Sequence, residues 1–189
     1  MIEKDGFNFM IDINQIPIEL VFDSLEKFKD AKDYMRNHKF PGAAFSWGYP
    51  YTNIDFLSEF PWLTGISIFI SGISHIDIVN SLPNLVYISW EDPIPFNINN
   101  PVLKELSFEW HKNNSISSNC KSLRSICVTN CKDLTGLFEQ ICILPNVARV
   151  AIVKNFSVKD CTFMKLMAKL EYLGLSYFTK LESLNGIEV

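Results

Sequence analysis

The residue types that most often do chemistry are few and scattered in this sequence. The chain has three histidines, namely His38, His75 and His111. A group of His111 with Cys120, Cys127 and Cys131 matches no known metal-ligand spacing, so packing is the favoured role of these thiols. The sequence has no phosphate-binding glycine loop, dinucleotide-binding glycine pattern or G-x-S-x-G elbow. We therefore expect no catalytic, cofactor-binding or metal-binding residues and no enzyme activity.

Acidic and aromatic side chains in the middle of the chain carry chemistry of another kind, that of protein recognition. The candidate partner-binding residues are Tyr87, Glu91, Glu105, Glu109 and Trp110. Aromatic rings are enriched at interface hot spots, and carboxylates beside them complement a basic partner. The competing interpretation is an ordinary solvated charged surface, which requires no partner.

Composition and charge narrow the kinds of partner. The 189 residues are 48% apolar and 20% charged, which is typical of one globular domain or one repeat array. The net charge of −4 disfavours nucleic acids and suits a basic protein. Residues 60–76 are uncharged but too polar and broken to span a membrane. With five cysteines and no signal-peptide pattern, we expect reduced thiols, a cytoplasmic location, and neither a membrane nor a small-molecule substrate as partner.

A short apolar frame, L-x-x-L-x-L, recurs along the chain. Its copies are Leu63, Ile66, Ile68; Leu85, Ile88, Trp90; Leu103, Leu106, Phe108; Leu123, Ile126, Val128; Val147, Val150, Ile152; and Leu170, Leu173, Leu175. A weaker copy, Gly42, Phe45 and Trp47, precedes them, and the copies start 21, 22, 18, 20, 24 and 23 residues apart. The last two apolar positions alternate with an outward residue, as in a strand with one buried face. We expect these apolar positions to form the core.

A period in the low twenties with this frame resembles the leucine-rich-repeat family over roughly residues 41–189. The resemblance implies an α/β fold, namely a right-handed solenoid with a parallel sheet on its concave side and helices or loops on its convex side. The family also expects Asn or Cys eight residues after the first Leu, and only Cys131 and Asn155 match among six such positions. The repeat is therefore short and degenerate, and in this the chain resembles bacterial toxin-immunity proteins.

The segments between the frames complete each coil. Helical spacing of apolar residues predicts convex-side helices over 133–144, over 158–170 and, shorter, over 74–84. We expect Asp133 to cap the first of these, and Cys142 and Cys161 to lie on inner helix faces in the core. Proline and asparagine in 91–102 predict an irregular loop.

The first 40 residues do not follow the frame, and we assign them to an N-terminal capping segment ahead of the solenoid at 41–189. Residues 16–22 are predicted to form a strand, followed by an amphipathic helix to about Asn37. Asp23 and Glu26 have the spacing of a capping box at the start of that helix. Such a segment would seal the first coil, because the ends of solenoids need a cap.

The residue between the last two apolar positions of each frame is small. This row consists of Ser46, Ser67, Ser89, Ser107, Cys127, Ala151 and Gly174. Crowding on a curved inner surface is one explanation for it. The other is a smooth trough that a partner can approach closely.

These expectations favour a non-enzymatic protein-binding module. The resemblance to immunity proteins implies neutralisation of a cognate toxin, and the acidic charge favours a basic toxin. The alternative is a leucine-rich-repeat adaptor or substrate receptor in another protein–protein interaction. An enzyme would need a catalytic segment outside the coils, and residues 1–40 contain no nucleophile–base pair.

Overall fold

The computed structural model describes residues 1–130, 134, 136–155, 157–167 and 169–187. The chain divides into two compact units, Met1–Asp92 and Pro93–Val189. In both units the frame copies form parallel strands, and helices are few and short. This arrangement confirms the predicted parallel strands with few helices and is consistent with a leucine-rich-repeat-like fold, while the handedness of the coils stays a prediction.

The first unit contains six neighbouring strands. They are β1 (Ile2–Lys4), β2 (Phe7–Ile11), β3 (Pro17–Phe22), β4 (Gly42–Phe45), β5 (Gly65–Ile68) and β6 (Tyr87–Trp90). Strands β1 to β3 pair antiparallel, and β3 to β6 pair parallel in chain order. Helix α1 (Phe28–His38) connects β3 to β4, and 3-10 helices at Asp55–Glu59 and Ile76–Ser81 follow β4 and β5. The predicted helix over 74–84 is therefore a 3-10 helix.

The N-terminal 40 residues contain the predicted strand and helix, with two differences. Helix α1 begins at Phe28, and the predicted capping box is wrong because the Asp23 carboxylate accepts a hydrogen bond from the Asn8 amide at 2.7 Å instead. The β1–β2 hairpin was not predicted. Its turn is Asp5-Gly6, with φ of 54° and 80°, and such a pair favours tight hairpin turns because both residues tolerate positive φ.

The first frame copy is shifted by two residues from its predicted place. In the sheet, Ala43 pairs with Ile66 and Phe45 with Ile68, so Ala43 and Phe45 are the inward positions of β4. Trp47 was expected in the core and is 87% exposed. The prediction was wrong because alanine is a weak apolar signal. The frame was therefore aligned on the larger Trp47 side chain instead of on Ala43.

The second unit repeats the parallel pattern. Its strands are β7 (Asn97–Ile98), β8 (Glu105–Glu109), β9 (Ser115–Ile116), β10 (Ser125–Thr129), β11 (Arg149–Val153) and β12 (Tyr172–Ser176). Strands β8, β10, β11 and β12 pair parallel in that order, with Leu106, Ile126, Val150 and Leu173 in one register row. The inward side chains of β8, β10 and β11 are at most 2% exposed, which confirms the core predicted there.

The helices that connect the strands of the second unit are shorter than predicted, and the loop predicted over 91–102 is more regular. Helix α2 spans only Leu137–Cys142, and the expected Asp133 cap lies outside the described residues. A 3-10 helix spans Thr162–Leu166 in place of the α-helix predicted over 158–170. The Asp160 carboxylate accepts the Thr162 N–H just before it.

The 91–102 segment is not wholly irregular, since β7 pairs with β9. Cys161 is buried as predicted, whereas Cys142 is exposed on α2.

Candidate functional site

Each sheet has an outward face, which is the face opposite the buried apolar side chains. In the first unit the strand registers align three outward rows across β3 to β6. The rows are Glu19, Gly42, Gly65, Tyr87; Val21, Ala44, Ser67, Ser89; and Asp23, Ser46, Phe69, Glu91. Backbone hydrogen bonds from Ser46, Phe69 and Glu91 to the preceding strands extend the third row past the strand ends.

The central outward row is small in both units. Ala44 is its member on β4, so the predicted Ser46 belongs to the next row, as the two-residue shift of that frame requires. In the second unit the row is Ser107, Cys127, Ala151 and Gly174. Small side chains along the middle leave the rows at the strand ends as the places where larger groups project.

Four of the five predicted partner-binding residues lie on the outward faces of two strands. Tyr87 begins β6 and is half-buried, and Glu91 directly follows that strand and is exposed. Glu105 begins β8 and is exposed, and Glu109 ends it and is half-buried. Tyr87 and Glu91 belong to the first unit, whereas Glu105 and Glu109 belong to the second.

Trp110 is not on an outward face. Its side chain is 5% exposed, and its ring packs edge-on against Phe108 with centroids 6.0 Å apart. The reason is strand alternation, because Trp110 has the parity of the inward residues Leu106 and Phe108. Trp110 is therefore a core residue, and its expected place on a binding face is wrong.

Glu19 is a buried carboxylate that the sequence analysis missed. It is 4% exposed on the outward side of β3, and its Oε1 accepts a hydrogen bond from the Ser67 hydroxyl at 2.9 Å. To reach Ser67 on β5 it crosses Gly42 on β4, where a Cβ would lie 2.7 Å from the Glu19 Cγ. Burial raises the pKa of Glu19 to about 7, and the Ser67 hydrogen bond opposes this rise. The sequence signal that could have indicated this site is the glycine at the start of two neighbouring strands, Gly42 on β4 and Gly65 on β5.

The second feature missed is a groove, here called the Trp47 groove. It has a volume of about 380 Å³ and lies after the carboxyl ends of β4 and β5. Its walls are residues 47–52 and 69–72, and they include Trp47, Pro50, Tyr51, Phe69 and Ile70. A tryptophan in a groove between two adjacent loops is typical of a recognition surface.

The two walls of the Trp47 groove are held in place by the fold. The Tyr49 hydroxyl donates to the Asn53 carbonyl at 2.6 Å, and the Tyr49 ring packs edge-on against Phe45. On the other wall, the Asp92 carboxylate accepts the Gly72 N–H at 2.7 Å. A groove ordered before binding loses little entropy when a partner enters.

Within the described part of the chain, no group of three His, Cys, Asp or Glu side chains is placed to bind a metal ion. Four described cysteines, Cys120, Cys127, Cys142 and Cys161, are free thiols. The same residues include no helix long and apolar enough to cross a membrane. The chemistry that these surfaces offer is recognition by shape, aromatic contact and negative charge.

No protein-family model matches the chain. No curated protein matches it either. Among solved structures, the chain is similar to internalin C2 from Listeria monocytogenes, with 17% identity over 72% of this chain and a TM-score of 0.47. The match spans 62% of that protein's length.

Proposed function

We propose that this chain is a non-enzymatic protein-binding module whose partner docks on the outward sheet faces. The observation that carries the proposal is the small central row, which lets a partner approach the sheet closely. In the first unit, Tyr87 and Glu91 lie in the rows on either side of the central row, and in the second unit Glu105 and Glu109 do the same. An aromatic ring supplies an anchor, and carboxylates supply a charge that steers a basic partner.

Its more specific role is that of a cytoplasmic immunity protein that neutralises a cognate basic toxin. The net charge of −4 supports this role, because opposite fields speed association and an inhibitor must bind its toxin quickly. An adaptor or substrate receptor would use the same face for another class of protein. Only the behaviour of the partner separates the two roles.

A capture and rescue experiment tests the proposal. The full chain serves as bait for proteins of its host, and each captured protein is then expressed with and without the chain. Growth arrest by the captured protein, relieved by co-expression of the chain, is the result expected of a toxin–immunity pair. A specific partner without toxicity rules out the immunity role and supports an adaptor. Absence of any saturable partner contradicts the protein-binding function.

With the partner in hand, Tyr87→Ala tests the predicted face. We expect the dissociation rate to rise about tenfold, because truncating a hot-spot ring costs roughly 1–2 kcal/mol or more. The matched control is Tyr177→Ala, since Tyr177 is a 78% exposed ring of the second unit outside the predicted site. Surface plasmon resonance measures both rates. If Tyr87→Ala dissociates like wild type while folding normally, the contact lies elsewhere.

A further inference from the structure

The Trp47 groove has the features of a binding site for one particular kind of side chain. Trp47 is its largest ring and is 87% exposed, and Tyr51 in the same loop is 43% exposed. Phe69 and Ile70 form the other wall. Exposed indole and phenol rings attract cations to their faces, and tryptophan does so most strongly.

The electrostatics of the first unit favour the same occupant. Residues 41–92, which supply the whole groove, contain five carboxylates and no lysine or arginine. Glu59 is already paired with Lys32 and Arg36, and Asp55 faces the His75 ring at 3.1 Å. Two of the remaining carboxylates lie next to residues of the groove wall, because Glu91 follows β6 beside Phe69 and Asp92 accepts the Gly72 N–H.

Glu91 is the carboxylate best placed to meet a cation in the groove. The β5–β6 register sets Ile68 opposite Trp90, so Glu91 follows beside Phe69 at about one strand spacing, roughly 4.8 Å. Its side chain is exposed and has no ion pair among the described residues. Asp92 is engaged by the Gly72 N–H, so it holds the wall of the groove.

We propose that the Trp47 groove binds an arginine or lysine side chain presented by a loop of the partner protein, with Trp47 against the cation and Glu91 pairing with it. The proposal rests on the protein-binding function and names the chemistry of one contact. It places this contact on the loops at the carboxyl ends of β4 and β5, outside the small central row. A neutral apolar segment is the competing occupant, and the experiment separates the two.

A peptide titration of the full chain tests the proposal without the cognate partner. The probe is a capped pentapeptide with two arginines between glycines, and the control peptide carries citrulline in place of arginine. Proton–nitrogen correlation spectra follow the Trp47 indole and the Phe69 and Ile70 amides. We expect saturable shifts at these positions, and a citrulline peptide that binds at least about threefold more weakly, in line with a cation–π contact.

Variants locate the binding. Trp47→Ala should abolish the shifts at Phe69 and Ile70 while leaving thermal unfolding unchanged, because the ring is 87% exposed. Glu91→Gln should weaken arginine-peptide binding and make it less dependent on salt. Tyr177→Ala, which removes an exposed ring of the second unit, should bind like wild type.

The outcomes keep this inference apart from the proposed function. Equal binding of both peptides shows that the groove does not recognise the positive charge, and it overturns the inference. Shifts spread over the surface, or no shift at all, also overturn it, and the capture experiment still decides whether the chain binds proteins. If the arginine peptide binds as expected but capture finds no partner, the proposed function fails while the groove retains its preference for cations.

Discussion

At the scale of single residues, Glu19 is a carboxylate whose protonation is strongly changed by burial. The groups facing it are Met10 from β2, Gly42 from β4, and Gly65 and Ser67 from β5, and Tyr87 from β6 approaches Gly65 as well. None of them carries a positive charge. Burial therefore raises the pKa of the carboxyl to about 7, and the proton is bound more tightly in the folded chain than in the unfolded one.

This shift predicts a stability that depends on pH. The stabilisation from protonated Glu19 is complete below its unfolded pKa of 4.5 and is lost as the pH rises through about 7. Glu19→Gln removes the titration, so the variant should gain up to about 3 kcal/mol relative to wild type between pH 5 and pH 8. Urea unfolding of both proteins at the two pH values measures the difference.

The control for this prediction is Glu105→Gln, which neutralises an exposed carboxyl at the start of β8. It reports the effect of neutralising a carboxyl that is not buried. A difference between Glu19→Gln and wild type that does not change between the two pH values would show that Glu19 titrates in its ordinary range.

At the scale of elements, the loop after β4 shows how a backbone contact shapes a surface. Gly48 has a φ of 102°, and a Cβ there would lie 2.0 Å from the Asp23 carbonyl oxygen. Gly48 therefore lets the loop pack directly on the residue after β3. This packing turns Trp47 outward at the start of the groove wall.

Gly48→Ala should therefore destabilise the chain by about 2–4 kcal/mol, since it adds a steric clash to an unfavourable φ. Gly72→Ala is the matched control, because Gly72 has a φ of 80° but nothing within 4 Å of the added Cβ. It should cost only about 1 kcal/mol. Thermal denaturation measures both, and equal losses would mean that the Asp23 contact does not constrain the loop.

At the scale of the whole molecule, the net charge of −4 acts on association rather than on the fold. Glu105 is exposed at the end of an outward row, so its charge contributes to the field without supporting the core. Arg149 lies two strands away in the same row, with its guanidinium 5.1 Å from the Tyr172 ring. The outward face of the second unit therefore carries both signs of charge, and Glu105 partly offsets Arg149.

Glu105→Lys changes the net charge from −4 to −2, because a charge of −1 becomes +1. We expect the association rate with the captured partner to fall severalfold and to depend less on salt, with a smaller change in the dissociation rate. Glu26→Lys makes the same charge change at an exposed position before α1. Stopped-flow kinetics at two salt concentrations compare them, and equal slowing would show that net charge alone, not the outward face of β8, steers the partner.

The sequence alone determined the strands whose apolar side chains repeat in a fixed frame. Burial of Leu106, Phe108, Ile126 and Val128 follows from an alternation that only a strand with one inward face can satisfy. The exposure of Glu91 and Glu105 follows from the same alternation. These features are local, so the spacing of residue types was sufficient to predict them.

Tertiary structure decided what depends on contacts between coils. The small Ala43 side chain does not identify the inward face of β4 in the sequence. Its pairing with Ile66 shows that Ala43 and Phe45 are the inward residues, and Trp47 lies beyond the strand and is exposed. The burial of Glu19 over Gly42 on β4 and its hydrogen bond to Ser67 on β5 depend on residues 23 and 48 positions away along the chain. Burial and pairing across strands arise from residues distant in sequence, so a pattern read along one segment does not contain them.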